Sequence, residues 1–201
     1  MANVVHGYWG SQGMDDFEHR CWLGGSYNAG IDGQRVAICG FSHYSDEGDD
    51  PDLTNIVLTD VMNGARYRFF VSIAQAFGFE DAVSFWPRVL FFNFIPTSVG
   101  VSADRYSAGS ADQIERGKAR VLRLIDEHRP DKLFVFSRKA WDNFPLTVEE
   151  MRGEPLHGAL KWGIYERQSG RKTVAIGLRH PQFARAEELR AAVTAGMAIV
   201  A

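Results

Sequence analysis

The sequence predicts an α/β fold, a three-layer αβα sandwich around a central, mostly parallel, four-stranded sheet. Two observations lead there. Four short runs, "RVAICGF" (35–41), "VLFFNFI" (89–95), "KLFVFS" (132–137) and "TVAIGL" (173–178), are nearly continuously apolar and rich in Val, Ile or Phe. Such runs, unlike alternating ones, mark strands buried on both faces, as in a parallel sheet. Between them lie helical patterns, and strand alternating with helix builds a sheet covered on two sides.

The elements follow in order. Residues 1–34, with Trp9, Trp22 and several glycines, read as an irregular extension packed on the core. The first strand, 36–40, ends at Gly40. Residues 65–78 read as a helix closed by Gly78, and the second strand, 89–94, carries an asparagine, Asn93. The run 110–130 opens Ser-Ala-Asp-Gln, a capping box, and stops at Pro130. Its Ile114, Val121, Leu122 and Ile125 are expected on one buried face. A third strand, 132–137, leads into a short helix over 138–144. A fourth, 173–178, runs to His180-Pro181, and residues 184–196 form the last helix.

The chain has 201 residues, of which 45% are hydrophobic and 23% charged, ordinary values for one globular domain spanning 1–201. No run of eighteen apolar residues offers a membrane span, and the first twenty residues lack a secretory leader. Two unspaced cysteines, Cys21 and Cys39, fit a reduced, cytoplasmic setting. Net charge is -3. Residues 1–117 hold 7 Lys and Arg against 15 Asp and Glu; residues 118–201 hold 15 against 10. The basic second half is free to face an anion or to be a solvated surface.

In such folds ligands sit beyond the carboxyl ends of the strands. There the sequence gathers "GFSHYS" (40–45), Asn93, Ser137-Arg138-Lys139 and Arg179-His180. Pro181 holds His180 in extended geometry at a strand end. Asn93 in an apolar strand needs partners for its carboxamide, from a neighbouring loop or from the edge of a planar heterocycle. Gly40 allows close backbone approach. His180 also fits a surface turn, and 40–45 an ordinary connection. The run "SDEGDDPD" (45–52) misses the spacing of a calcium loop and reads as a mobile acidic loop, so no metal is expected.

Taken together, these pieces resemble the uracil-DNA glycosylase superfamily, from Arg35 to about Arg185 and in the family's order. Gly40-Phe41-Ser42-His43-Tyr44-Ser45 stands where its best-known branch has Gly-Gln-Asp-Pro-Tyr-His. "VLFFNFIP" is similar to the strand whose Asn reads the base, and His180-Pro181-Gln182-Phe183 to the closing His-Pro-Ser-Pro. "RYRFFVSIAQAFGF" (66–79) is similar to the Arg-Phe-Trp helix of mismatch-specific branches.

The resemblance implies a flipped, deaminated base in DNA as ligand. Asn93 would pair with the base edge, and His180 would donate to the carbonyl where charge develops. Gly40, Phe41, His43, Tyr44 and Phe69 would line the pocket, Tyr44 at the place of the tyrosine that walls off a 5-methyl group. Phe183 would wedge the duplex, with Gln182, Arg138, Lys139 and Arg185 on DNA. The family's water-activating Asp or Asn is Ser42 here, which implies weak or absent hydrolysis, with water positioned by Ser42 or His43. No cofactor is expected, and iron–sulfur spacing is missing. The same pocket fits two other readings: a non-catalytic module for a free nucleobase, a nucleotide or damaged DNA, and an unrelated small-molecule hydrolase. A monomer is expected.

Overall fold

The computed structural model describes residues 17–104, 107–145, 159–166 and 170–200. Six strands form one mixed sheet: β1 (Trp22–Leu23), β2 (Val36–Gly40), β3 (Val89–Asn93), β4 (Lys132–Val135), β5 (Ala159–Glu166) and β6 (Lys172–Leu178). Their order is β1-β3-β2-β4-β6-β5. The four expected strands are the middle of this sheet, all parallel. The expectation of a four-stranded sheet is corrected at both edges. β1 pairs antiparallel with β3, and β5 antiparallel with β6. Neither edge carries a long apolar run. β1 is two residues long, and β5 alternates half-buried Trp162 and Ile164 with buried Gly163 and Tyr165.

Helices cover both faces. On one lie α1 (Leu53–Met62), α2 (Arg68–Ala76), α3 (Ala82–Phe85) and α6 (Ala186–Ala198). Their Leu58, Phe70, Ile73, Phe85 and Leu189 pack with Ile38, Phe91, Phe134 and Ile176 of the sheet. On the other lie α4 (Ala111–His128) and α5 (Arg138–Asp142), whose Val121, Leu124, Ile125 and Trp141 pack with Cys39, Phe92, Leu133 and Ala175. Successive strand residues thus feed opposite cores, which is why these strands are apolar throughout.

The capping box of α4 is formed: Ser110 accepts from the Gln113 amide, and Gln113 accepts from the Ser110 amide. Its buried stripe differs from the expected one. Leu122 is 44% exposed, and Leu124 takes its place inside. The reason is Gly117, at which an added Cβ would lie 2.7 Å from the Phe94 carbonyl oxygen. This close approach turns the 117–121–124 line inward. The chain leaves β2 for α1 on one face and leaves β3 and β4 for helices on the other. In open sheets this switch of faces is where ligand crevices form, and here it falls at the end of β2, beside Gly40.

Candidate functional site

Gly40 and Asn93 end adjacent parallel strands and are paired in register. A Cβ built on Gly40 would run into Asn93 Oδ1 and stand 3.6 Å from Phe69 Cζ. Only glycine leaves room for the carboxamide here, and α2 brings the edge of Phe69 to the same point. Asn93 is 5% exposed, yet its carboxamide makes no hydrogen bond to any described residue. Its polar atoms are not among the fully buried ones left unpaired, so the carboxamide reaches the surface at the strand end. The strand holds it in place through its register with Gly40 of β2, while β1 pairs further back at Leu90 and Phe91.

Phe69 also carries the site to His180: the two rings lie 5.1 Å apart at 34°. Pro181 begins a 3-10 turn over Pro181–Phe183, and His180 caps it. The Gln182 amide donates to His180 Nδ1 at 3.2 Å. A backbone N–H only donates, so Nδ1 is the acceptor and the neutral ring carries its proton on Nε2. Burial lowers the pKa of this imidazole below its ordinary value. The result is a neutral ring with an Nε2–H donor held by its own turn. Phe183 follows, 6.0 Å from the His180 ring and 69% exposed.

The other expected residues are placed as follows. Phe41 is half-buried, with Lys139 Nζ 5.6 Å over its ring. Lys139 also donates to the Ser107 carbonyl. Ser42 is half-buried, and its hydroxyl bonds to no described residue. Tyr44, Gln182 and Arg185 are exposed. Arg138 is exposed and pairs with Asp142 one turn on, 3.4 Å away.

His43 is committed elsewhere. Its Nε2 lies 2.9 Å from Thr54 Oγ1 on α1, and its ring meets the edge of His19 at 5.1 Å. Burial first, then the neighbouring His19, lowers its pKa to about 3.

The segment expected to be a mobile acidic loop is pinned by its own carboxylates. Asp46 accepts from the Ser102 amide and hydroxyl. Asp49 accepts from the Ser98 amide and hydroxyl and lies 2.6 Å from His19 Nε2. Asp52 pairs with Arg20. Among the described residues no cluster is able to hold a metal ion, and no helix is long and apolar enough to cross a membrane. His19, Thr54 and Ser98 went unread in the sequence because each is a lone polar residue with no partner nearby in the chain, and Asp49 was read only as part of an acidic run. Only the fold brings them together.

No family model matches the chain, and no curated protein matches it either.

Proposed function

We propose that the cleft at Gly40, Asn93, Phe69 and His180 receives a nucleobase, in the manner of a uracil-DNA glycosylase-like protein that accepts a flipped, deaminated base from DNA. The single observation that carries this reading is the Asn93 carboxamide, on a strand-end residue only 5% exposed and without a hydrogen bond to a described residue, linked through Phe69 to a neutral imidazole whose free N–H donates. A carboxamide offers a donor and an acceptor side by side, which suits the edge of a planar heterocycle. Phe69 supplies apolar surface next to it. Extruding a base costs a few kcal/mol, which such pairing and stacking offset.

In hydrolysis, a water oxygen bonds to C1′ as the bond from C1′ to the base nitrogen breaks. The electron pair leaves with the base, and His180 Nε2–H stabilises the charge at its carbonyl. The water's proton goes to solvent. Ser42 is a neutral hydroxyl and takes no proton at neutral pH, so the step is slow. Phe183 stands exposed to fill the space left in a duplex, with Gln182, Arg138, Lys139 and Arg185 toward phosphates.

A second reading, a non-catalytic module for a free base or nucleotide, is favoured by one observation. The loop that carries Ser42 and Tyr44 continues into five carboxylates, Asp46, Glu47, Asp49, Asp50 and Asp52, which repel a phosphate backbone passing on that side.

The test is single-turnover base release from uracil- and hypoxanthine-containing oligonucleotides. Slow release is expected from wild type and none from His180→Ala or Asn93→Ala. Ser42→Asp should be faster by about 10²-fold or more, the low end of general-base assistance. Zero release from all four with oligonucleotide or base binding intact favours the module. Fast release that survives both alanine variants rejects the site.

A further inference from the structure

The groups behind the 41–54 segment are unused by the cleft, and they form the most heavily charged interior cluster among the described residues. His19 is 2% exposed and Arg120 3%. His19 Nε2 meets Asp49, while its Nδ1 is buried without a partner. His43, ring to ring with His19, reaches Thr54. Arg120 on α4 donates to the His19 carbonyl and pairs with Glu18. Glu18 is shared with Arg123. The charges that face the two imidazoles are therefore Asp49 and, less closely, Asp50, against Arg120. Thr54 is neutral and the Ser98 donors already occupy Asp49.

One carboxylate in contact serves one imidazolium. A second proton would place two cations 5.1 Å apart, with a buried guanidinium beside them. Charges at that spacing in a partly dry interior repel by several kcal/mol unless one side moves to water. The side able to move is the segment itself. Its ties are backbone bonds from Ile95 N–H to the Phe41 carbonyl, Val99 N–H to the His43 carbonyl, Ser45 N–H to the Gly100 carbonyl and Arg20 N–H to the Pro51 carbonyl, with the carboxylate anchors of Asp46 on Ser102, Asp49 on Ser98 and Asp52 on Arg20.

We propose that residues 41–54 form an acid-released wall of the cleft, closed while His43 is neutral and swung open when His19 and His43 are both protonated. Release would carry away Phe41, Ser42 and Tyr44 and break the His43 and Asp49 anchors together. Two lowered imidazole pKa values agree with this direction. The inference concerns the wall and holds whatever ligand the cleft takes.

The experiment is amide hydrogen exchange followed from pH 7.5 to 4.5, each rate corrected for the chemical dependence of exchange on pH. The reporters are the Val99 and Ser45 amides. The references are Phe136, bonded to the Cys39 carbonyl, and Val174, bonded to that of Asp131. Below the ordinary value of 6.5, protection at the reporters should fall by more than about tenfold per pH unit, toward the roughly hundredfold expected when two protons bind the open form alone. The references should hold. His43→Gln keeps a polar group for Thr54 and removes one of the two proton sites, so its reporters should fall no more than about tenfold per pH unit, the share of His19 alone. His43→Asn serves the same purpose if the glutamine variant does not fold. Flat reporters in wild type, reporters falling together with the references, or an unchanged slope in the His43 variant would each overturn the proposal.

Discussion

Asn93 ends a buried strand with a polar group that has no protein partner among the described residues yet is not fully buried. Its carboxamide sits among Gly40, Phe69 and the β3 backbone with no hydrogen bond to a described residue. Leucine has nearly the same shape and no polar atoms to strand. Asn93→Leu should therefore leave the unfolding free energy within about 0.5 kcal/mol of wild type, since a carboxamide that keeps contact with the surface is not a stranded group. Urea denaturation measures it. A loss of 1 kcal/mol or more would mean that the carboxamide is partnered in the folded protein. His180 presents the reverse case, because Pro181 and the Gln182 amide set its geometry and its tautomer from three consecutive residues. That is why the His-Pro pair was legible in the sequence, whereas the state of Asn93 depends on β2 lying alongside.

The short helix α5 shows how an element sets the cleft rim. Ser137 caps it by accepting from the Ala140 amide, and Arg138 and Lys139 begin it. Its Trp141 packs over the β6 backbone at Gly177, where an added Cβ would collide with the indole. The indole in turn stacks on Phe144, 5.9 Å away at 21°. Neither backbone nor ring yields easily at such a contact, so Gly177→Ala should cost about 1–3 kcal/mol by overpacking. It should also move Lys139 off Phe41, since Lys139 rides on the same helix as Trp141. Equilibrium unfolding of the variant reads the first effect. A stability within 0.5 kcal/mol of wild type, about the scatter of surface substitutions, would show that Trp141 is free to shift.

Across the molecule, buried imidazoles set the acid limb of stability. His19, His43, His128 and His180 all have lowered pKa values, desolvation being the largest cause for each. A lowered imidazole pKa means that the unfolded chain binds the proton more readily. The stabilisation is complete above the unfolded value of 6.5 and is lost as pH falls toward the folded values, about 3 for His43. For Asp49, burial raises the carboxyl, but the Ser98 bonds and His19 outweigh it and leave it below 3.8. Its contribution is lost only below that value. The urea midpoint should thus be level above pH 7, decline from 6.5 to 5, and fall more steeply below 4. A midpoint unchanged between pH 8 and 5 would mean that these rings are hydrated in the native state.

Four parallel strands and four of the six helices were readable from the chain alone, because each is encoded locally. A strand buried on both faces must be apolar throughout, and a helix is bounded by its caps and by Pro130 or Gly78. The edge strands, α1 and α3 were not readable. β1 is too short to show a period, and α1 has polar and apolar residues mixed around its axis, with Thr54 buried and Ile56 exposed. The wall behind Ser42 was hidden for a different reason. His19 meets Asp49 across 30 residues, and Arg120 meets the His19 carbonyl across 101. Local sequence carries the period of burial. Which polar group satisfies which other depends on distances set only when the sheet and its helices have packed.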